Sequence, residues 1–221
     1  MTKLICGVDE AGKGPVIGSL FIAAVVVREE DLDKLETTGI KDSKLLSHKK
    51  RVELSEKIRK LALKWKVIQV KPQEIDEAVM SQDHMNLNWL EAHKTAELLN
   101  TLRPDVAYID CPSPNIKAYK GYLSGLLKKK NIELIVEHKC DLNRKICSAS
   151  SIIAKCARED EMDKIKKEYG NTGPGYTSNP VTQEFLKNNW DKHPEIFRKS
   201  WISWKNHRNG KEQKKLGEFE K

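Results

Sequence analysis

The chain lacks any apolar run near the ~20 residues that a membrane helix needs. Its longest, Leu20 to Val27, is short and rich in valine and reads as a strand. A secretory leader pattern is also missing, because MTKLICGVDE passes directly into a strand pattern. The two absences lead us to expect a cytoplasmic protein with no membrane partner. Among five cysteines (Cys6, Cys111, Cys140, Cys147 and Cys156) there is no C-x-x-C, and the number is odd. A disulfide framework is not expected in a chain of 221 residues, so the thiols are expected to be buried and free. His138 and Cys140 have no second closely spaced ligand pair, which argues against zinc. No internal repeat is found.

What the chain does have is positive charge, a formal +8. From Arg198 to Lys221 eight Lys and Arg stand against three Glu, so +5 of that excess lies in the final stretch. Such a balance suits a polyanionic partner as well as an ordinary basic surface. The length suits one domain, with or without a small appendage.

Strand and helix signals alternate along the chain. Strands are expected over Leu4–Asp9, Ser19–Val27, Trp65–Val70, Asp105–Asp110 and Ile132–Glu137. Leu54, Ile58, Leu61, Ala62 and Trp65 fall at helical spacing, with Ser47 as a candidate cap. Helices are also expected over Leu87–Leu102, Ile116–Lys128 and Lys145–Tyr169, the last with a first half so apolar that it should be central. Gly170–Pro180 reads as a loop, short helices follow to about Trp204, and a polar tail begins near Asn206. The five tryptophans are expected in the core. This order points to an α/β domain with a mixed sheet, its first two strands pairing as a hairpin.

Three of the strands end in, or lead shortly to, acid: Asp9 and Glu10 after the first, Asp110 after VAYID, Asp141 after LIVEHKC. Sites in open α/β sheets gather beyond the carboxyl ends of strands. Four crowded carboxylates repel one another, and hard divalent cations neutralise them, so Mg²⁺ or Mn²⁺ fits this donor set better than zinc. Asp9 and Glu10 are neighbours, however, and neighbours in a strand face opposite ways. They can share a site only if the strand bends or ends there.

Gly7 to Gly14 (GVDEAGKG) comes within one residue of a phosphate-binding P-loop. Gly14 stands where that loop needs a hydroxyl, and a valine-rich strand follows where it needs a helix. The glycines can still bring backbone amides close to a phosphate or ribose.

The segment GVDEAGKGPVIG (Gly7–Gly18) resembles the opening motif of the ribonuclease HII family. Other motifs follow in the family's order: DSK at Asp42–Lys44, Asp110 after a short strand, Asp141 ahead of SASSIIAK (Ser148–Lys155), GPGYTSNP (Gly173–Pro180) and FRKSW (Phe197–Trp201). The resemblance implies a ribonuclease H-like mixed sheet flanked by helices over 1–170, a small helical C-terminal extension over 171–205, and a polar tail over 206–221. It implies an endonuclease acting on RNA/DNA hybrids and on single ribonucleotides in duplex DNA. Asp9, Glu10, Asp110 and Asp141 would hold two Mg²⁺ or Mn²⁺ ions, with hydrolysis leaving 3′-hydroxyl and 5′-phosphate ends. Gly12, Lys13, Gly14 and Tyr176 would read the ribonucleotide, and Ser43, Lys44, Ser148, Ser151 and Lys155 would touch the nucleic-acid backbone. The family usually has arginine where this chain has Lys13, which keeps the charge and loses the bidentate fork. Ribonuclease HIII is the alternative within this resemblance, but it carries an N-terminal extension. The rival classes are a noncatalytic nucleic-acid-binding module and a P-loop-like nucleotide hydrolase.

Gln213, Leu216 and Phe219 (QKKLGEF) are spaced by three, which lines them along one face of a 3₁₀ turn. They resemble the peptide Q-x-x-L-x-x-F that docks on the sliding clamp (PCNA), with Glu220 in place of the usual second aromatic. Docking of the tail on the clamp is therefore an expectation, and the protein itself is expected to be a monomer.

Overall fold

In the computed structural model, residues 2–40, 46–83 and 85–209 are described. Five strands form a mixed sheet: β1 (Leu4–Ala11), β2 (Leu20–Arg28), β3 (Lys64–Val70), β4 (Val106–Asp110) and β5 (Glu133–Glu137), in the order β3-β2-β1-β4-β5. β1 pairs antiparallel with β2 and parallel with β4, and β4 pairs parallel with β5. The helices are α1 (Leu32–Thr37), α2 (His48–Leu61), α3 (Pro72–Met80), α4 (Leu87–Leu102), α5 (Ile116–Leu126), α6 (Cys140–Asn143), α7 (Lys145–Tyr169) and α8 (Pro180–Asn189). A final helix covers 202–209.

The strands and long helices fall where the hydrophobic pattern places them. Ser47 caps α2, accepting from the amide of Lys50. The short helices α1 and α3 carry too little periodicity to be expected; α3 starts on Pro72, a residue suited to a first turn.

The chain divides into two compact units. The first comprises, among the described residues, 2–11, 21–40, 46–69 and 87–158, and contains nearly all of the sheet. All eight apolar residues of β2 are buried, so both faces of this interior strand are covered. Phe21, Ala23, Val25 and Val27 share a core with Leu54 and Ile58 of α2 and with Ile146, Ala149, Ile152 and Ile153 of α7. The apolar first half of α7 is therefore central, as its composition suggests. The second unit comprises, among the described residues, 12–20, 70–83, 85–86 and 159–209. Val16, Ile17, Met162, Ile165, Phe185, Leu186, Ile196, Phe197 and Trp204 form its core.

Two expectations need correction. Cys140 and Cys147 are paired as a disulfide, not free; α6 turns the chain back so that their Cα atoms lie 5.8 Å apart. The spacing of seven residues carries no signal of that turn. Cys6, Cys111 and Cys156 are buried and free, as expected. Trp65 is not a core residue: it is 41% exposed, with the Arg59 guanidinium 4.7 Å from its ring centre.

α7 lies directly on β1 at Gly7. A Cβ at Gly7 would sit 2.2 Å from the carbonyl oxygen of Ile146 and 2.7 Å from the amide nitrogen of Cys147. Both are backbone atoms and cannot rotate away. The Ser150 hydroxyl, from the next turn of α7, donates to the Gly7 carbonyl at 2.8 Å. Gly7→Ala should therefore displace α7 and destabilise the protein by about 1–3 kcal/mol or more, the usual range for overpacking. Chemical denaturation checks this; a midpoint equal to the parent's would refute the close contact.

Candidate active site

The parallel ladder between β1 and β4 stops at Val8–Ile109. Beyond it the edge of β1 is open at Asp9 and Glu10, and β4 ends on Asp110. β1 itself does not end or break there; it continues to Ala11, still paired with Phe21 of β2. The two neighbouring carboxylates nevertheless meet. Asp9, Glu10 and Asp110 each offer a ligand oxygen, all within 4.8 Å of one another.

Asp9 is buried, and burial pushes its carboxyl up to about 7, with the charges of Asp110 and Asp141 adding to the effect. Two bonds oppose this: the Ser151 hydroxyl and the Glu10 amide both donate to Asp9, the latter at 2.7 Å. Asp110 is fixed by the amide of Cys140, which donates to its Oδ1 at 2.9 Å. Asp141 is buried in α6, and the Ser148 hydroxyl donates to its carbonyl. Asp141 stands close enough to act on Asp9 electrostatically, although the tight cluster holds only the other three.

The donor set decides what this cluster could hold. It is all carboxylate oxygen, partly desolvated and mutually repelling. A hard divalent cation suits it, and the neighbouring Cys140 is tied up in its disulfide.

Ser148 and Ser151 are 2% and 0% exposed. Their hydroxyls turn inward to Asp141 and Asp9, where the sequence suggests contact with substrate. Lys155 is half-buried one turn further along α7. Ser43, Lys44, Gln213, Leu216 and Phe219 lie outside the described residues.

The glycine loop belongs to the second unit. β2, not a helix, follows it, which removes the P-loop reading. Gly12 has φ +88°, a conformation that side chains disfavour. A Cβ on Gly14 would lie 3.8 Å from Cε1 of Tyr176, and Tyr176 is 39% exposed. The loop is therefore assembled beside an accessible aromatic ring. The amide of Val16 donates to the Gly175 carbonyl at 2.9 Å, joining the two glycine segments.

Sequence reasoning passed over Arg198, which is fully buried and donates to three carbonyls of this loop. The available signal was an arginine directly behind the apolar pair Ile196–Phe197.

The sequence profile of the ribonuclease HII family matches residues 6–204. Ribonuclease HII of Methanococcus maripaludis strain C5 is 43% identical over 211 residues, covering 92% of this chain and 87% of that one. Among solved structures, ribonuclease H2 of Pyrococcus horikoshii OT3 superposes with a TM-score of 0.85 at 36% identity, covering 93% of this chain and 97% of that one. The structure of a complex of PCNA with ribonuclease HII from Archaeoglobus fulgidus matches with a TM-score of 0.80 at 36% identity, covering 91% and 94%. These matches, over a ribonuclease H-like sheet with carboxylates gathered on β1 and β4, show that the chain belongs to the ribonuclease HII family, endonucleases that hydrolyse RNA in RNA/DNA hybrids.

Proposed function

We propose that this protein cuts RNA/DNA hybrids, and DNA duplexes carrying a single ribonucleotide, at the carboxylate cluster, leaving 3′-hydroxyl and 5′-phosphate ends. The observation that carries this reading is the convergence of Asp9, Glu10 and Asp110 around a partly desolvated point. Asp9, Glu10, Asp110 and Asp141 would hold two Mg²⁺ or Mn²⁺ ions. When bound, such ions activate water and stabilise the leaving oxygen of an in-line displacement. The chain's part is to hold the carboxylates at fixed spacing against their own repulsion. Ser151, the Glu10 amide and the Cys140 amide do this by donating to Asp9 and Asp110.

Asp110→Asn keeps the shape of the side chain and removes one charge. Cleavage should fall by at least the ~10–100-fold that even supporting residues around a metal cost, and Mn²⁺ affinity should fall with it. Mapped ends on a duplex with one ribonucleotide test the chemistry. A normal Mg²⁺-dependent rate in Asp110→Asn would remove that residue from the site.

The substrate side of the reading rests on the 2′-hydroxyl, which distinguishes RNA from DNA at one residue. Amides of Gly12, Lys13 and Gly14 hydrogen-bond the ribose, Tyr176 packs against a neighbouring sugar, and Lys13, Ser43, Lys44 and Lys155 meet phosphates. Lys13 supplies charge without a fork, so the backbone carries the discrimination. Tyr176→Ala should reduce cleavage at a lone ribonucleotide far more than it weakens binding to plain duplex, where phosphate contacts dominate. Equal cleavage by Tyr176→Ala and the parent would reject the sugar contact.

Gln213, Leu216 and Phe219 would bring the enzyme to replicated DNA by docking on a sliding clamp. The complex known for the Archaeoglobus fulgidus relative supports such an encounter. Removing 211–221 should abolish clamp binding in calorimetry and spare cleavage of short duplexes. Full clamp affinity in a Leu216→Ala, Phe219→Ala double variant would exclude the tail as the contact.

A further inference from the structure

Arg198 is 0% exposed, yet it carries a permanent charge. Burying a cation is costly unless its donors are satisfied. Its Nε donates to the carbonyl of Gly18 at 2.9 Å, one terminal nitrogen to that of Lys13 at 2.6 Å, and the other to that of Gly12 at 2.5 Å. The next carbonyl, that of Gly14, accepts from Nε1 of Trp201 at 3.0 Å, and the Trp201 ring lies 5.0 Å from the guanidinium carbon. Three consecutive peptide carbonyls are thus drawn to one side of the loop by two side chains of the FRKSW segment.

That segment is itself fixed. The Arg198 amide donates to the Val16 carbonyl at 2.9 Å, and the Gly18 amide to the Ile196 carbonyl at 2.9 Å. Asp76 of α3, also buried, accepts from the amides of Lys199 and Ser200, each at 2.8 Å.

Peptide planarity turns this into a statement about donors. In a trans peptide the C=O and the following N–H point in opposite directions, and no described peptide is cis. With the carbonyls of Gly12 and Lys13 held on the guanidinium, the amides of Lys13 and Gly14 are directed away from it. Pro15 has no amide to direct. The same geometry is visible at Gly18: its carbonyl goes to Arg198, and the amide of that peptide, on Ser19, donates outward to Glu161 at 2.8 Å. A cation on the carbonyl side also polarises each peptide and strengthens its amide as a donor.

We infer that Arg198, with Trp201, is the positioning residue for ribonucleotide discrimination: it holds the Gly12–Gly14 carbonyls inward so that the Lys13 and Gly14 amides present a paired donor set to the ribose. This rests on the reading that those amides contact the 2′-hydroxyl. Only a planar fork reaches three separate carbonyls. Lysine at 198 keeps the charge but donates from a single point.

The test is binding, by fluorescence anisotropy, of a DNA duplex with one ribonucleotide and of the same duplex in DNA alone. Ca²⁺ replaces Mg²⁺ to hold cleavage back. The parent should favour the ribonucleotide duplex. Arg198→Lys should narrow that preference by about tenfold and Trp201→Phe by about threefold, the weight of hydrogen bonds lost from the donor set. Affinity for the all-DNA duplex and Mn²⁺ affinity at the carboxylates should stay near the parent's. A folded Arg198→Lys protein with the full preference, or one that loses affinity for both duplexes equally, overturns the inference. Should Arg198→Lys not fold, Trp201→Phe decides in the same way. Equal binding of both duplexes by the parent would overturn the ribose reading itself, and this inference with it.

Discussion

The close approach of α7 to β1 at Gly7 is the constraint on which the sheet-bearing unit depends. With no Cβ between them, helix backbone and strand backbone come into direct contact. That contact sets the height at which the serines of α7 meet the sheet. Ser150 reaches the Gly7 carbonyl, Ser151 reaches Asp9 one residue pair further on, and Ser148 reaches back to Asp141. Any larger residue at 7 would move all three hydroxyls together, because they ride on one helix. The small, apolar character of SASSIIAK is thus a packing requirement and a means of locating polar groups at once.

The carboxylates show why such support is needed. Alone, Asp9 would retain its proton to about neutral pH, since burial and its acidic neighbours both disfavour a second charge. Hydrogen bonds from Ser151 and the Glu10 amide work against that tendency but do not cancel it. Repelling charges held this close form an environment completed by a cation, and the rigidity of sheet and helix keeps the repulsion from being relieved by movement.

A parallel principle operates in the second unit with opposite polarity. There the fixed element is a buried cation, and the groups held are carbonyl dipoles. Arg198 gathers the negative ends of three peptides, and the positive ends are left to face the other way. In one unit negative charge is concentrated and held apart by donors; in the other, backbone dipoles are aligned by a positive charge.

Much of this was legible in the sequence. The short apolar runs LICGV and VAYI, the continuous apolar run of β2, the helical spacing in α2 and α4 and the apolar first half of α7 determined the elements, because those patterns reflect burial and burial follows from residue type. Acidic residues late in, or shortly after, three strands pointed to a shared locus, and three of them, Asp9, Glu10 and Asp110, do converge. Tertiary structure decided the rest. That Asp9 and Glu10 meet Asp110 depends on the parallel register of β1 with β4, strands distant in sequence. That Ser148 and Ser151 face inward depended on the rotation of α7 over Gly7. The pairing of Cys140 with Cys147 depended on a turn set by α6. The apolar pair ahead of Arg198 could hint at its burial but not at its role, because its partners lie about 180 residues away in the chain and only folding brings a fork of donors onto their carbonyls.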